Sequence, residues 1–275
     1  MPRIRSTHDL DDDAPAARGS LGAQRARHQK IAESVIKRGS MSIGDIVRAT
    51  GVSAMTIYRD VATLEEAGIV SRQRGQVLAV AGSLQEASAG FRLEQNHEIK
   101  ASMAAALASR IKPGSSLVLD DSTSGVWLLR ALENVAPLTV VTNSLLVAQE
   151  VGGRDDIRLL MTGGEYQPWA QALMGEAAIS GLSRIHADVC VMSASGVVDG
   201  RCMHPYGDVA AVKRAMLASA HCKVLMLDHT KFTRRALHAF AAVEEFDIVV
   251  VDRATAQRTL DWLAELDVET IISEE

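Results

Sequence analysis

Ser122, Thr123 and Ser124 mark the point where an extended run, Ser116–Asp120, gives way to a helical pattern beginning near Gly125. Three hydroxyls and the unpaired backbone N–H groups of a helix's first turn converge there, which is the chemistry of an anion cradle. Asn143 follows a second extended run, Leu138–Thr142, and Lys231 stands three residues beyond Asp228, the end of another, Val224–Asp228. In an open parallel sheet the C-terminal ends of the strands gather at one edge, where ligands bind. Lys231 would bring a point charge to a phosphate at that edge. Asp120 and Asp121 would repel an anion, which leaves binding ligand hydroxyls, capping the helix or pointing away. His204, His221, His229 and His238 lack metal-ligand spacing, and no metal or cofactor is expected. Cys190, Cys202 and Cys222 are odd in number and fit no paired metal spacing, so they read as free thiols of a reducing cytosol.

A second group of residues carries a different chemistry. Ser42-x-x-Asp45 opens a short helix, and Gly51 in Thr50-Gly51-Val52 supplies the positive φ of a tight inter-helix turn. Ser53 then caps a third helix, with Ile57, Val61 and Leu64 as its apolar stripe. Met55, Thr56, Tyr58 and Arg59 must project from its other faces, in the first turns of what reads as a recognition helix. Arg59 can grip a guanine edge or a phosphate there. Ile69–Arg72 and Val77–Val80 flank a polar turn as a hairpin-like wing, where Arg72 and Arg74 can take flanking phosphates. Double-stranded operator DNA is the partner this order of elements implies.

The elements that must position these residues fall into segments. Residues 1–20 read as a disordered leader, 21–80 as a winged helix-turn-helix domain, 81–96 as a linker and 97–275 as a largely parallel α/β domain. In that last segment helices alternate with apolar strand cores such as Leu117-Val118-Leu119 and Val224-Leu225-Met226-Leu227, the mark of a sheet covered on both faces. A chain of 275 residues, 47% hydrophobic and 23% charged, can build one small and one medium core. No apolar run approaches the ~18 residues of a membrane span, and the Asp-rich N-terminus is not a secretory signal, so a cytoplasmic protein is expected. The net charge of −5 is uneven. Residues 21–80 hold nine Lys/Arg against five Asp/Glu, a basic head on an acidic body.

The stretch Gly51-Val52-Ser53-Ala54-Met55-Thr56-Ile57-Tyr58-Arg59-Asp60-Val61, followed by Leu64-Glu65-Glu66-Ala67-Gly68 and Arg72, resembles the N-terminal motif of the DeoR/GlpR family of bacterial sugar-catabolism regulators. Tyr58 stands where the family usually has the first Arg of a pair, and Arg74-Gly75-Gln76 replaces a common His-Gly-Gly wing. The similarity continues through Leu119-Asp120-Asp121-Ser122-Thr123-Ser124, Thr142-Asn143-Ser144, Thr162-Gly163-Gly164, Ser193-Ala194-Ser195-Gly196, Val212-Lys213-Arg214-Ala215-Met216 and Asp228-His229-Thr230-Lys231-Phe232. Ser122 replaces a family Gly and Ser124 a family Thr. The resemblance implies a sensor domain folded like ribose-phosphate isomerase and glucosamine-phosphate deaminase. Its effector would be a phosphorylated sugar or related metabolite, bound by Asp120, Ser122, Thr123, Ser124, Asn143, Gly164 and Lys231. It further implies a repressor of a carbohydrate-catabolism operon, acting as a homodimer or homotetramer. The alternative is a sugar-phosphate isomerase or deaminase with a DNA-binding head. Such an enzyme needs a poised carboxylate base, for which Asp199 and Asp120 are the candidates.

Overall fold

A computed structural model describes residues 14–80 and 86–274. The expected leader at 1–13 and the first residues of the expected linker, 81–85, lie outside the described residues. The described chain forms two compact units, broadly 14–79 and 80–274.

The N-terminal unit runs α1 (Ala14–Arg38), β1 (Ser40–Ser42), α2 (Ile43–Thr50), α3 (Ala54–Glu66), β2 (Val70–Gln73) and β3 (Gln76–Ala79). Helix α1 reaches back into the expected leader. Among the described residues this helix begins at Ala14, so residues 14–20 of the expected leader are helical. Ser42 caps α2 in a reciprocal box with Asp45, and Gly51 closes that helix at φ 76° in the left-handed region. The three strands pair antiparallel in the order β1-β3-β2. Ile31 and Val35 of α1, Ile46 of α2 and Ile57, Val61 and Leu64 of α3 are all buried in one small core. Ile36, one residue off that stripe, is exposed.

The second unit is built on seven parallel strands in the order β15-β14-β12-β9-β4-β5-β6. They are β4 (Ser116–Leu119), β5 (Leu138–Thr142), β6 (Ile157–Met161), β9 (Ala187–Met192), β12 (Ala220–Leu227), β14 (Ile248–Asp252) and β15 (Glu269–Ser273). The continuous apolar runs divide by parity. Leu117, Leu119, Val224 and Met226 pack with α5 (His97–Ala108), α6 (Thr123–Ala131) and α7 (Leu145–Val151). Val118, Leu225 and Leu227 pack on the opposite face with α8 (Glu176–Leu182), α9 (Gly207–Ala218) and α10 (Gln257–Glu265). Both faces are covered, so neither register of side chains needs to be polar.

From β4 the chain moves outward through β5 and β6, then returns to the other side of β4 to lay down β9 and β12. The crevice of an open sheet lies where the strand order reverses in this way. Three smaller elements complete the unit; of their parts the sequence predicts only a strand at 238–243, expected in the main sheet. Ala89–Glu94 is a helix, α4, inside the expected linker. The strands β7 (Glu165–Gln167) and β8 (Ala172–Met174) form a hairpin. The strands β10 (Gly196–Val198), β11 (Arg201–His204) and β13 (His238–Ala242) form a separate antiparallel sheet, so His238–Ala242 leaves the main sheet. Among the described residues no helix is long and apolar enough to cross a membrane.

Candidate functional site

In the N-terminal unit, burying Ile57, Val61 and Leu64 fixes which side chains α3 presents outward. Met55 is 64% exposed and Tyr58 48%, Arg59 is exposed and Thr56 half-buried. Ser53 caps the helix. Its hydroxyl accepts the Thr56 N–H at 3.3 Å and lies 3.0 Å from the Thr56 hydroxyl. The next residue on the helix, Asp60, turns inward instead. It is buried, accepts Arg27 Nε at 2.5 Å and lies 2.9 Å from His28 Nε2, tying α3 to α1. Burial pushes its carboxyl up, but the bonds from Arg27 and His28 outweigh that and hold it below the usual range. In the wing, Arg74 sits at φ 49° at the hairpin tip and is exposed. Arg72 is exposed but engaged, since Glu65 accepts both its backbone N–H and its Nε at 2.8 Å. An exposed helix opening flanked by a basic hairpin is the geometry that enters a DNA groove.

In the second unit, a cleft of about 590 Å³, its open mouth included, lies beyond the C-terminal ends of β4, β9 and β12. Ser122, Thr123 and Ser124 line it at the start of α6, and Lys231 lines it from the short 3-10 helix after β12. These four residues come together as the sequence predicts.

Three others do not. Asp120 lies behind the wall, accepting the Ser122 N–H (3.0 Å), the Ser193 N–H (3.1 Å) and Lys213 Nζ. It positions the loops rather than facing the cleft. Asn143 turns away to donate to the Leu173 carbonyl at 3.0 Å, anchoring β8. Gly164 is also a packing residue, with φ 124°, and a Cβ there would stand 2.5 Å from the Met174 carbonyl oxygen. Asp199, the other candidate base, sits in the β10–β11 turn outside the cleft.

The cleft also gathers charged groups that sequence reasoning missed. Lys213 projects from α9 between Asp120 and Asp121, at 3.2 Å from the latter. Burial alone would lower Lys213, but the two carboxylates outweigh it and hold it above the usual lysine range. Burial likewise opposes the charge of Asp121, and Lys213 and Arg92 keep that carboxyl low. Arg92 donates to the Ala87 carbonyl at 3.1 Å and lies 3.7 Å from Asp121 Oδ2. Arg234 lies 3.7 Å from the fully buried Glu86. Lys100 Nζ donates to the carbonyls of Arg92 and of Gln95, the latter at 2.7 Å. Burial, and then the nearby Lys231 charge, bring Lys100 down to about 7. Burial takes His204 to about 4, so it is neutral at pH 7.

Among the described residues Arg92, Lys100, Lys213, Lys231 and Arg234 meet Glu86, Asp121 and Asp228 at the wall of the cleft, with Asp120 behind it paired to Lys213 and Lys100 only about half charged at pH 7. Four buried polar atoms of that wall have no protein hydrogen-bond partner: Glu86 Oε1, Arg92 Nη2, Asp121 Oδ2 and Ser122 Oγ. Buried atoms of this kind are expected to find a partner; Arg92 Nη2 and Asp121 Oδ2 lie 3.7 Å apart and Glu86 Oε1 lies 3.7 Å from Arg234, so these atoms mark a polar wall that offers both donors and acceptors to a ligand. Among the described residues no three His, Cys, Asp or Glu side chains converge as a metal site.

Lys213 was within reach of the sequence. With Val209, Val212 and Met216 it falls on one helical stripe, and a lysine on an apolar stripe marks a buried charge. Glu86 and Arg92 carried no such signal, lying in a polar stretch without periodicity.

Comparison with known proteins identifies both units. The DeoR-like helix-turn-helix domain matches residues 27–81 and the DeoR C terminal sensor domain matches residues 95–253. The glycerol-3-phosphate regulon repressor of Escherichia coli K12 is 30% identical over 230 residues, covering 83% of this chain and 91% of that one. The HTH-type transcriptional repressor CsqR of the same strain is 31% identical, covering 79% and 82%. Among solved structures, ribose 5-phosphate isomerase A from Methanocaldococcus jannaschii covers 50% of this chain and 55% of its own at 14% identity and TM-score 0.37, a likeness too distant to bear on chemistry. The chain belongs to the DeoR family of DNA-binding transcriptional regulators.

Proposed function

We propose that this regulator represses a carbohydrate-catabolism operon and releases its operator when a phosphorylated sugar enters the cleft of the sensor unit. The clustering of Arg92, Lys231 and Arg234 beside a helix opening that carries Ser122, Thr123 and Ser124 is the observation that carries this reading. A dianionic phosphate would pair with these cations, and the sugar hydroxyls would meet Asp121 and Ser122, whose side chains hold buried oxygens without a hydrogen-bond partner. The matched repressor of the glycerol-3-phosphate regulon supports a phosphorylated effector.

On the DNA side, Ser53, Met55, Thr56, Tyr58 and Arg59 read the operator from the first turns of α3, and Arg72 and Arg74 take flanking phosphates. The protein works in the cytoplasm as a homodimer or homotetramer, because two-fold operators demand a two-fold reader. Release requires the effector to bind the DNA-free arrangement more tightly than the DNA-bound one.

A gel shift on the chain's own upstream DNA, titrated with candidate sugar phosphates, tests the reading. Lys231→Ala should bind that DNA as wild type does and fail to release it. Full release of the variant by the same sugar phosphate would place the effector elsewhere.

A further inference from the structure

Glu86 is an odd residue to find at an anion site. Its side chain is almost wholly buried, the Ser195 hydroxyl donates to it, and Arg234 stands 3.7 Å away. Lys231 and Arg92 add their charges to it. These are the cations and hydroxyl that a phosphate would need, and the carboxylate already holds them. Burial would push Glu86 up, yet the three cations keep it well below the usual carboxylate range, so it is ionised at any physiological pH.

We infer that Glu86 is a resident stand-in for the effector's phosphate, and that effector binding expels its carboxylate from the cleft. This rests on the cleft being the effector site. Both anions cannot occupy one set of cations, because two like charges a few ångströms apart in a buried site repel strongly. Expulsion has a structural outlet. Glu86 opens the segment leading into α4, which is held in place by the Ala89 N–H donating to the Trp169 carbonyl at 2.7 Å and by Arg92 reaching Asp121. In sequence this segment follows the DNA-binding unit with only a few residues between. Effector binding is thereby exchanged for loss of the tether that begins the sensor unit. The competition also taxes affinity, since the ligand binds only the fraction of molecules whose cleft is free of Glu86.

Hydrogen exchange on the full-length wild-type chain, followed by mass spectrometry with and without saturating inorganic phosphate, tests the exchange of anions. The expected result is opposite movement at two places. Amides of residues 86–91 should exchange at least about tenfold faster with phosphate, and those of residues 122–125 should exchange more slowly. Glu86→Gln should bind phosphate about tenfold or more tightly in isothermal titration, and phosphate should then leave residues 86–91 unaltered. A general electrostatic effect of losing one negative charge would raise affinity too, but it would not make the wild-type segment exchange faster. Slower exchange at both places in wild type, with phosphate bound, would overturn the role of Glu86 while leaving the site intact. Absence of phosphate binding by both wild type and Glu86→Gln would instead overturn the site itself.

Discussion

Lys100 should make effector binding at the cleft a proton-coupled event. In the unliganded cleft burial and the Lys231 charge leave it titrating at about 7, with Arg92 opposing and Asp228 and Glu86 favouring its charged form. A phosphate arriving at the cleft favours the charged form, so the liganded value is higher. A group whose pKa rises on binding contributes affinity that is complete below the unliganded value and lost as pH climbs toward the liganded one. Starting from about 7, the fraction of Lys100 already protonated falls from a half at pH 7 to roughly a tenth at pH 8. Affinity should then drop roughly fivefold from pH 7 to 8, and roughly tenfold more from pH 8 to 9 if the liganded value exceeds 9. The ligand does not mask this, because its second ionisation lies near 6 and is nearly complete above pH 7. Of the other groups at the site, Asp121, Asp228 and Glu86 are held low, His204 titrates at about 4 and Lys213 is held high; burial lowers Lys231 as well, so a variant of Lys100 alone is needed to separate the two lysines.

Isothermal titration of a sugar phosphate at pH 6, 7, 8 and 9, in two buffers of different ionisation enthalpy, reads both the affinity and the protons taken up. Lys100→Gln keeps a donor for the Arg92 and Gln95 carbonyls and should flatten the curve. A wild-type affinity constant between pH 7 and 9, or a slope that survives in Lys100→Gln, would refute the assignment.

Arg59→Ala should weaken operator binding in a gel shift by about 1–3 kcal/mol if the guanidinium meets a base edge; unchanged binding would remove it from the interface. Asp60→Ala, which strips Arg27 and His28 of their shared partner, should lower head stability by about 2–3 kcal/mol in thermal unfolding, and an unaltered melting curve would mean the pair is dispensable. Gly164→Ala should cost at least about 2 kcal/mol in chemical denaturation, because the new Cβ meets the Met174 carbonyl on a left-handed backbone. Wild-type stability in that variant would show that β8 can shift without strain.

The sequence was most legible where one physical rule acted alone. The stripe of Ile57, Val61 and Leu64 left only one orientation for α3, and the left-handed turn at Gly51 did what its residue type demands. Ser122–Ser124 and Lys231 were found because strand ends and a helix opening are local features. Asn143 failed for a complementary reason: standing after a strand brings a residue to the correct edge of the sheet, but tertiary contacts decide which way its amide turns, and here the β8 backbone claims it. Glu86, Arg92 and Lys100 come from the segments before β4, and only the folded chain reveals that they converge with Lys213, Lys231 and Arg234. The same limit explains Asp120, whose neutralising partner Lys213 lies ninety-three positions along the chain.

The grip of Glu65 on Arg72 has one more consequence. Because a single carboxylate holds both the main chain and the guanidinium of the wing's first strand, the end of α3 and the hairpin are stapled into one lever. The staple favours one spacing of helix and hairpin, so inserting or deleting one base pair between the two contact zones should weaken binding even where the bases read by α3 are unchanged.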